Sequence, residues 1–233
     1  MNRIVITLLS LLVFANPIYA QEQFVLSGPD DPITALSGKV VAEAYKRLGI
    51  QAHIKAFPSA RSLLMSNMGE VDGEVSRIKG IDKNYSNLII VPVAINIVEG
   101  VVFTKDVTFS VTGWDSLLPY TIGIKRGTKF AEKGTKGMNV QSVTTNRQLF
   151  LKLDLRRTDV IVTARVSGLV ELKMLKFEGI QVLEPPLVTM KLYHYLHKKH
   201  ASLLPALTKV LQDMLVEGRI EEIRSQTISE FLK

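Results

Sequence analysis

The sequence contains no cysteine, which excludes several classes of site at once. Without a thiol the protein can have no disulfide framework, no thiolate metal site and no cysteine nucleophile. Aromatic residues are scarce, at 7% of the chain. A Gly-Lys-Ser/Thr phosphate loop and a Gly-x-Ser-x-Gly nucleophile elbow are also missing from the sequence. The sequence therefore carries no cofactor-binding signature, and we expect the protein to work without a cofactor.

The overall composition is that of a globular protein with a basic charge balance. Hydrophobic residues make up 46% and charged residues 22% of the 233 positions, which excludes a disordered or fibrous chain. Lys and Arg outnumber Asp and Glu by 29 to 22, so the formal net charge is +7. A basic balance favours contact with anions, which include nucleic acid, membrane headgroups and anionic solutes.

The start of the chain argues against nucleic acid as the partner, because residues 1–20 have the pattern of a secretory signal peptide. Arg3 supplies the positive start, residues 4–15 are almost wholly apolar, and Pro17 breaks the run before a small residue, Ala20. The apolar run is about 12 residues long, whereas a membrane span needs roughly 20. We therefore expect cleavage near Ala20, export to the periplasm and no nucleic-acid partner.

The chain after this leader alternates the patterns of strands and helices. An apolar strand at 24–27 leads into a helix with apolar residues at three- and four-residue steps, which Gly49 ends. A strand with alternating apolar residues follows at 51–57, then a helix that ends at 67–69 and a strand at 71–76. This order predicts a parallel sheet covered by helices.

A second unit with the same pattern follows two β-branched runs at 88–91 and 98–103. Its predicted elements are strands at 121–124, 140–143, 159–162 and 180–183 and helices at 129–133, 146–155 and 165–175. Residues 184–186 end this unit, and two helices split at Gly218 occupy 203–232. Since open α/β sheets bind ligands beyond the carboxyl ends of their strands, we expect two α/β lobes that face one cleft.

In this order of segments the chain resembles the family 3 extracellular solute-binding proteins, the amino-acid-binding type of bacterial transporters. The stretches that carry the resemblance are EAYKRLG at 43–49, GEVDG at 69–73, WDSL at 114–117, IGIKRGT at 122–128, LLPAL at 203–207 and EGRI at 217–220. The resemblance implies an α/β fold of periplasmic-binding-protein type II, a monomer whose two βαβ lobes close on a ligand through a hinge. It places lobe 1 at 21–103 plus 190–233 and lobe 2 at 104–189.

The resemblance also points to ligand-binding residues in lobe 1, with substitutions. Members hold the substrate carboxylate with an arginine that lies several residues beyond a pair of serines. Here Ser76 matches the first serine, Arg77 stands at the second, and Asn84 falls near the position of the arginine. We therefore expect Arg77 to make the bidentate contact from a different backbone position.

In lobe 2 the resemblance implies two further contacts. Members have a Gly-Ser/Thr-Thr turn whose backbone N–H groups and hydroxyls complete the carboxylate site, and Gly127, Thr128 and Lys129 match that turn. Members also place an aspartate after the strand at 159–162 to bind the ligand's ammonium group. Ala164 stands there, next to Thr163, so the usual ammonium partner is missing.

Other charged residues complete the predicted site. Asp30 or Asp31, in the first loop, could replace the missing aspartate, and Arg61 at the start of the second helix is another candidate. Together the basic residues near the predicted cleft favour an anionic or amino-acid-like ligand; they are Arg61, Arg77, Arg126 and Lys129. The alternative for each is a surface or lobe–lobe salt bridge. Glu74 is placed to pair with Arg77 or to touch the ligand.

Three histidines spaced by three residues, His194, His197 and His200, would share one face of a helix. The alternation of Tyr193-His194-Tyr195-Leu196 indicates a strand instead, which separates them, so we predict no metal site.

Three functional hypotheses follow. The first is a receptor, not an enzyme, that captures a small ligand for a membrane permease or a sensor protein. The second is an enzyme, because periplasmic cyclohexadienyl dehydratases use the architecture that the resemblance implies; its acid or base would come from Glu74, Asp30 or Asp31. The third is an interaction module that has lost its ligand. We favour the receptor.

Overall fold

The structure is a computed structural model that describes residues 23–233. The predicted signal peptide lies outside these residues. The strands are β1 (Gln23–Gly28), β2 (Gln51–Ala56), β3 (Gly73–Ile78), β4 (Leu88–Thr104), β5 (Ile122–Lys125), β6 (Val140–Val143), β7 (Val160–Ala164) and β8 (Gln181–His197). The α-helices are α1 (Pro32–Arg47), α2 (Ser59–Met68), α3 (Lys129–Gly134), α4 (Asn146–Asp154), α5 (Arg165–Leu175), α6 (Leu204–Val216) and α7 (Arg219–Leu232).

All these strands belong to one sheet, in the order β2-β1-β3-β8-β4-β7-β5-β6. β1 pairs in parallel with β2 and β3, and β5 pairs in parallel with β6 and β7. The long strands β4 and β8 are antiparallel to each other and join the two parallel halves. The predicted α/β architecture, with two parallel units in tandem, is confirmed.

The two central strands are longer than the sequence predicts. The runs at 88–91 and 98–103 are parts of the single strand β4, so the prediction of separate runs was wrong. The strand predicted to end before 184–186 continues as β8 to His197. The register of β8 shifts between the partners of Gly100 and Val102, which leaves Pro185 and Pro186 unpaired in a bulge. Proline lacks a backbone N–H and is tolerated there, which explains why these prolines do not end the strand.

The apolar core has three clusters. The first packs α1, α6 and α7 onto the β1–β3 half of the sheet, around Leu26 and Tyr45. The other two cover opposite faces of the second half, because Val102 belongs to one cluster and its neighbours Val101 and Phe103 to the other. A sheet buried on both faces needs continuously apolar strands, and the strand at 160–163 has that composition.

The turn from β8 into the last helices also differs from the prediction. Residues 198–203 form a 3-10 helix, and α6 begins at Leu204, one residue after the predicted start at 203. Pro205 occupies the first turn of α6, where its missing N–H has no helical partner to lose. Within residues 23–233, no helix is both long enough and apolar enough to cross a membrane.

Candidate functional site

A cavity of about 690 Å³ opens at the carboxyl ends of parallel strands from both halves of the sheet. One wall is formed by the loops after β1 and β2, and the opposite wall by the loops after β5 and β7. Val98 of the crossing strand β4 also lines the cavity. This is the position that the sequence analysis predicts for a ligand cleft, and below it is called the cleft.

The loop after β1 carries two carboxylates to the cleft, Asp30 and Asp31. Asp31 is the N-cap of α1, and its Oδ1 accepts a hydrogen bond of 2.7 Å from the backbone N–H of Thr34. The short Gly28–Asp31 connection therefore holds both residues at the end of the strand. Asp30 is exposed and keeps its carboxylate available to the cleft.

Aromatic rings from both walls give the cleft its apolar part. Phe57 follows β2, and Phe130 lies in the first turn of α3. The Arg61 guanidinium lies 5.8 Å from the centre of the Phe57 ring, and the Lys55 ammonium lies 5.4 Å from it. Arg61 itself is exposed and does not line the cleft, so the prediction that it contacts a ligand there is wrong.

Arg77 reaches the cleft wall, but its donors are bound by the protein. Its Nε donates to Glu74 Oε1 at 2.7 Å, its Nη1 to Ser59 Oγ at 2.8 Å, and its Nη2 to the Ser59 carbonyl at 3.0 Å. Glu74 is fully buried, so this is a buried ion pair with 15% of the Arg77 side chain exposed. Little of the guanidinium remains for the bidentate ligand contact predicted from the sequence.

Glu74 is in turn held by three serine hydroxyls. Its Oε2 accepts hydrogen bonds from Ser27 at 2.8 Å, Ser62 at 2.7 Å and Ser66 at 3.1 Å. Ser62 and Ser66 come from the buried face of α2, and Ser27 comes from β1. The carboxylate therefore anchors α2 to the sheet and fixes Arg77; it does not face the cleft.

The turn after β5 is occupied from within the chain. The Gly127 N–H donates to Glu132 Oε1 at 2.7 Å, and the Thr128 N–H donates to the Lys125 carbonyl at 3.1 Å. Lys129 is exposed, pairs with Glu132 at 2.9 Å and does not line the cleft. Hydrogen bonds from Lys129 and Gly127 hold the pKa of the Glu132 carboxyl below its ordinary value. Of the N–H groups expected to bind a ligand carboxylate, that of Gly127 thus already binds a carboxylate of the protein, and that of Thr128 binds a backbone carbonyl.

Two other cations of this loop are open to a ligand. Lys125 and Arg126 line the cleft. The salt bridges among residues 23–233 include neither of them. Uncharged polar groups lie beside them: the Thr163 hydroxyl, buried at the end of β7, is 3.5 Å from Asn146 Oδ1, and Ser167 follows on α5.

The structure brings together five of the predicted ligand-binding residues at the cleft, which are Asp30, Arg77, Gly127, Thr128 and Thr163. Arg61, Ser76 and Lys129 do not line it; Ser76 is buried within β3. The sequence analysis did not place Phe57, Lys125, Phe130 or Asn146 in the site. Lys125 ends β5 and Phe57 directly follows β2, whereas Phe130 and Asn146 lie in the first turns of helices that follow strands. This shared position at the carboxyl ends of strands is the signal that could have identified them.

The histidines lie away from the cleft. His194 is fully buried on β8, where its Nε2 contacts the Tyr45 hydroxyl at 3.0 Å and its Nδ1 contacts the Glu74 carbonyl at 2.8 Å. His197 ends β8, and His200 lies in the 3-10 helix with its Nε2 2.7 Å from Asp72. In the part of the chain that the structure describes, no group of His, Asp and Glu side chains could hold a metal ion.

Comparison with known proteins supports the same fold. No protein-family model matches the chain. It is 26% identical over 200 residues to a protein of Shewanella oneidensis described as an uncharacterized protein, covering 82% of this chain and 75% of that protein.

Solved structures match over most of the chain at low sequence identity. A histidine kinase sensor domain with similarity to periplasmic binding proteins has a TM-score of 0.71, 15% identity and coverage of 88% of this chain and 96% of its own. An amino acid ABC transporter substrate-binding protein of Streptococcus pneumoniae, bound to L-arginine, has a TM-score of 0.71, 11% identity and coverage of 91% and 96%. A mutant of ArgBP from T. maritima reaches 0.68 at 15% identity, with 89% and 96% covered. The chain therefore has the type II periplasmic-binding-protein fold expected from the resemblance.

Proposed function

We propose that this protein is an exported binding protein that captures a small, amino-acid-like zwitterion in the cleft without converting it. The observation that carries the proposal is the distribution of charge across the cleft. The loop after β1 presents Asp30 and Asp31, and the loop after β5 presents Lys125 and Arg126. Arg77 adds no free charge, because Glu74 neutralises it.

Opposite charges on opposite walls favour a ligand that carries both signs. A cationic group would lie toward Asp30 and an anionic group toward Lys125, while Phe57 and Phe130 would cover an apolar portion. The lining holds two acidic residues, Asp30 and Asp31, and two cations outside the described salt bridges, Lys125 and Arg126. This balance of charged residues disfavours the purely anionic ligand considered in the sequence analysis. A cavity of about 690 Å³ is within the range of small-molecule sites.

Binding without turnover is supported by where the carboxylates lie. Of the three candidates for an acid or base, Glu74 is buried behind Arg77 and three serines, and Asp31 is engaged as the cap of α1. Asp30, which lines the cleft, is the candidate without such an engagement. A single free carboxylate lacks the acid–base pair that most proton-transfer enzymes use. We propose that a membrane permease or a sensor protein receives the ligand-bound form, since structures of both kinds share the fold.

The test is a thermal-shift and calorimetric screen of the purified protein against amino acids, dicarboxylates and polyamines. We expect zwitterionic amino acids to bind, and a ligand at 100 times its dissociation constant to stabilise the folded state by about 2.7 kcal/mol. Asp30→Asn and Lys125→Gln should each weaken binding by about tenfold or more, because each removes one charge-assisted contact.

Arg61→Gln and Lys129→Gln are the matched controls, since both remove a neighbouring cation that does not line the cleft. Both should bind like the unaltered protein. Equal losses in the controls and in the cleft variants would show that the cleft is wrongly assigned. A ligand found chemically changed after incubation would establish an enzyme instead of a receptor.

A further inference from the structure

A second cavity, of about 480 Å³, lies in the β5–β7 half of the sheet, outside the cleft. Its walls are the end of β6, one side of α4 and the turn that follows α4. β6 is the last strand of the sheet and pairs only with β5 within the described chain, so this cavity lies at the outer edge of the sheet. The proposed receptor function uses one residue of its lining, Arg126, and leaves the others without a role.

The lining of this cavity is basic. Arg126, Lys152 and Arg157 all line it, and it contains no Asp or Glu. None of these three cations is in a salt bridge with a carboxylate of residues 23–233. Nearby cations outside the cavity are paired: Arg156 lies 2.9 Å from Asp106, and Lys105 lies 2.7 Å from Asp154.

Hydrogen bonds with Gln141 hold Lys152 and the Arg157 backbone against β6. Lys152 donates to Gln141 Oε1 at 2.7 Å, which holds its ammonium group against β6 and leaves two further N–H donors. Gln141 Nε2 donates in turn to the Arg157 carbonyl at 3.0 Å.

The hydroxyl-bearing residues Ser142 and Thr144 line the same cavity. The Thr144 hydroxyl already donates to Gln148 Oε1 at 2.8 Å, so Ser142 is the hydroxyl available to a ligand. The three cations and this hydroxyl can together satisfy several oxygens of one anion.

We infer that this cavity is a second binding site, for a multivalent oxyanion such as a phosphate- or polycarboxylate-bearing solute. Guanidinium groups suit planar carboxylates and tetrahedral phosphates, and Lys152 supplies a point charge at the base of the site. Leu151 and the largely exposed Leu155 line the cavity as well and offer an apolar surface beside the charges. Arg126 lines both this cavity and the cleft, whereas Lys152 and Arg157 line this cavity alone. Substitutions of Lys152 and Arg157 therefore test this site separately from the cleft.

The test is calorimetric titration of the full protein with inorganic pyrophosphate and with citrate at physiological ionic strength. We expect saturable binding of one anion, with amide NMR shifts at Ser142 and Thr144. Lys152→Gln and Arg157→Gln should each weaken binding by about tenfold, because each removes a charge-assisted contact. Neither residue lines the cleft, so their effect assigns binding to this cavity.

Arg156→Gln is the matched control, because it removes the adjacent arginine, which is paired with Asp106 and lies outside the cavity. It should bind within about twofold of the unaltered protein, as expected for an exposed ion pair. Cosedimentation with phosphatidylglycerol vesicles that is lost in Lys152→Gln and Arg157→Gln but kept in Arg156→Gln would identify a lipid headgroup as the source of the phosphate. Saturable binding of the soluble anions without cosedimentation would identify a soluble anion. Any of three results would overturn the inference. Arg156→Gln could weaken anion binding as much as the cavity variants do, the titration could fail to saturate, or the cavity could hold an adventitious ion only, which chloride displaces.

Discussion

The surroundings of His194 determine its protonation state. It is completely buried, and its ring is held between the Tyr45 hydroxyl and the Glu74 carbonyl. The Nδ1–H donates to the carbonyl, and Nε2 accepts from the Tyr45 hydroxyl, so the neutral ring satisfies both partners. Burial lowers the pKa of His194 to about 4, although the backbone carbonyls of Val75 and Glu74 oppose the shift. Burial likewise raises the pKa of Tyr45, which remains a hydroxyl donor.

This pKa predicts a specific pH dependence of stability. The unfolded chain binds a proton at His194 below about pH 6.5, whereas the folded protein does so only near pH 4. The neutral ring therefore stabilises the fold fully above pH 6.5, and that contribution is lost as the pH falls to 4. The loss should approach about 3 kcal/mol at its low end, from 1.36 kcal/mol per pKa unit.

Chemical denaturation at several pH values measures this loss. His194→Gln should remove most of the decline between pH 6.5 and 4.5, whatever its own stability, since no imidazole is left to titrate at that site. Burial also lowers the pKa of His197, which accounts for the remaining decline. His53→Gln, which removes an exposed imidazole from β2, is the matched control and should keep the decline. A decline that is the same in all three proteins would contradict the assignment.

At the scale of elements, α2 is attached to the sheet in an unusual way. Its buried side carries Ser62 and Ser66, while Leu64 and Met68 are 51% and 59% exposed. The serines and Arg77 all bind the buried carboxylate of Glu74. A polar network takes the place of an apolar interface here, and apolar periodicity cannot reveal which side of such a helix is buried.

The attachment of α2 predicts a large effect of a single substitution. Glu74→Ala should destabilise the protein by about 3–5 kcal/mol, because it leaves a buried arginine and three hydroxyls without their acceptor. Asp213→Ala is the control, as it removes a carboxylate from the exposed pair with Lys209 and should cost about 0–1 kcal/mol. Denaturant titration compares the two free energies of unfolding, and similar values would refute the proposed importance of the network.

For the whole molecule, the continuous sheet decides how the two halves behave together. β4 and β8 run through both halves and pair with each other along most of their length. The predicted lobes at 21–103 plus 190–233 and at 104–189 therefore share their two longest strands. A hinge between such lobes has to bend these strands, for which the bulge around Pro185 and Pro186 is suited.

Shared strands predict cooperative unfolding. The single tryptophan, Trp114, packs against the core of the second half, so its fluorescence reports on that half. Far-UV circular dichroism reports on the whole chain. In the absence of ligand both signals should change with the same midpoint in a denaturant titration, because unfolding one half removes strand partners from the other. Two separate midpoints would show that the halves unfold independently.

The sequence by itself determined the class of fold, the order of elements and the loops that meet at the cleft. Hydrophobic periodicity and turn residues are local properties, and parallel strands bring the loops at their carboxyl ends together. The resemblance to solute-binding proteins added Asp30 and Thr163 as candidates in these loops, and both line the cleft.

Only the tertiary structure decided which side chains of those loops are free. Arg77 and Lys125 look alike in sequence, but a buried Glu74 pairs with the first and no described carboxylate pairs with the second. The Gly127 turn is already filled by Glu132. Pairing depends on distances between residues far apart in the chain, and local patterns carry no information on those distances. The same holds for the second cavity, where Arg126, Lys152 and Arg157 meet only once the sheet has formed.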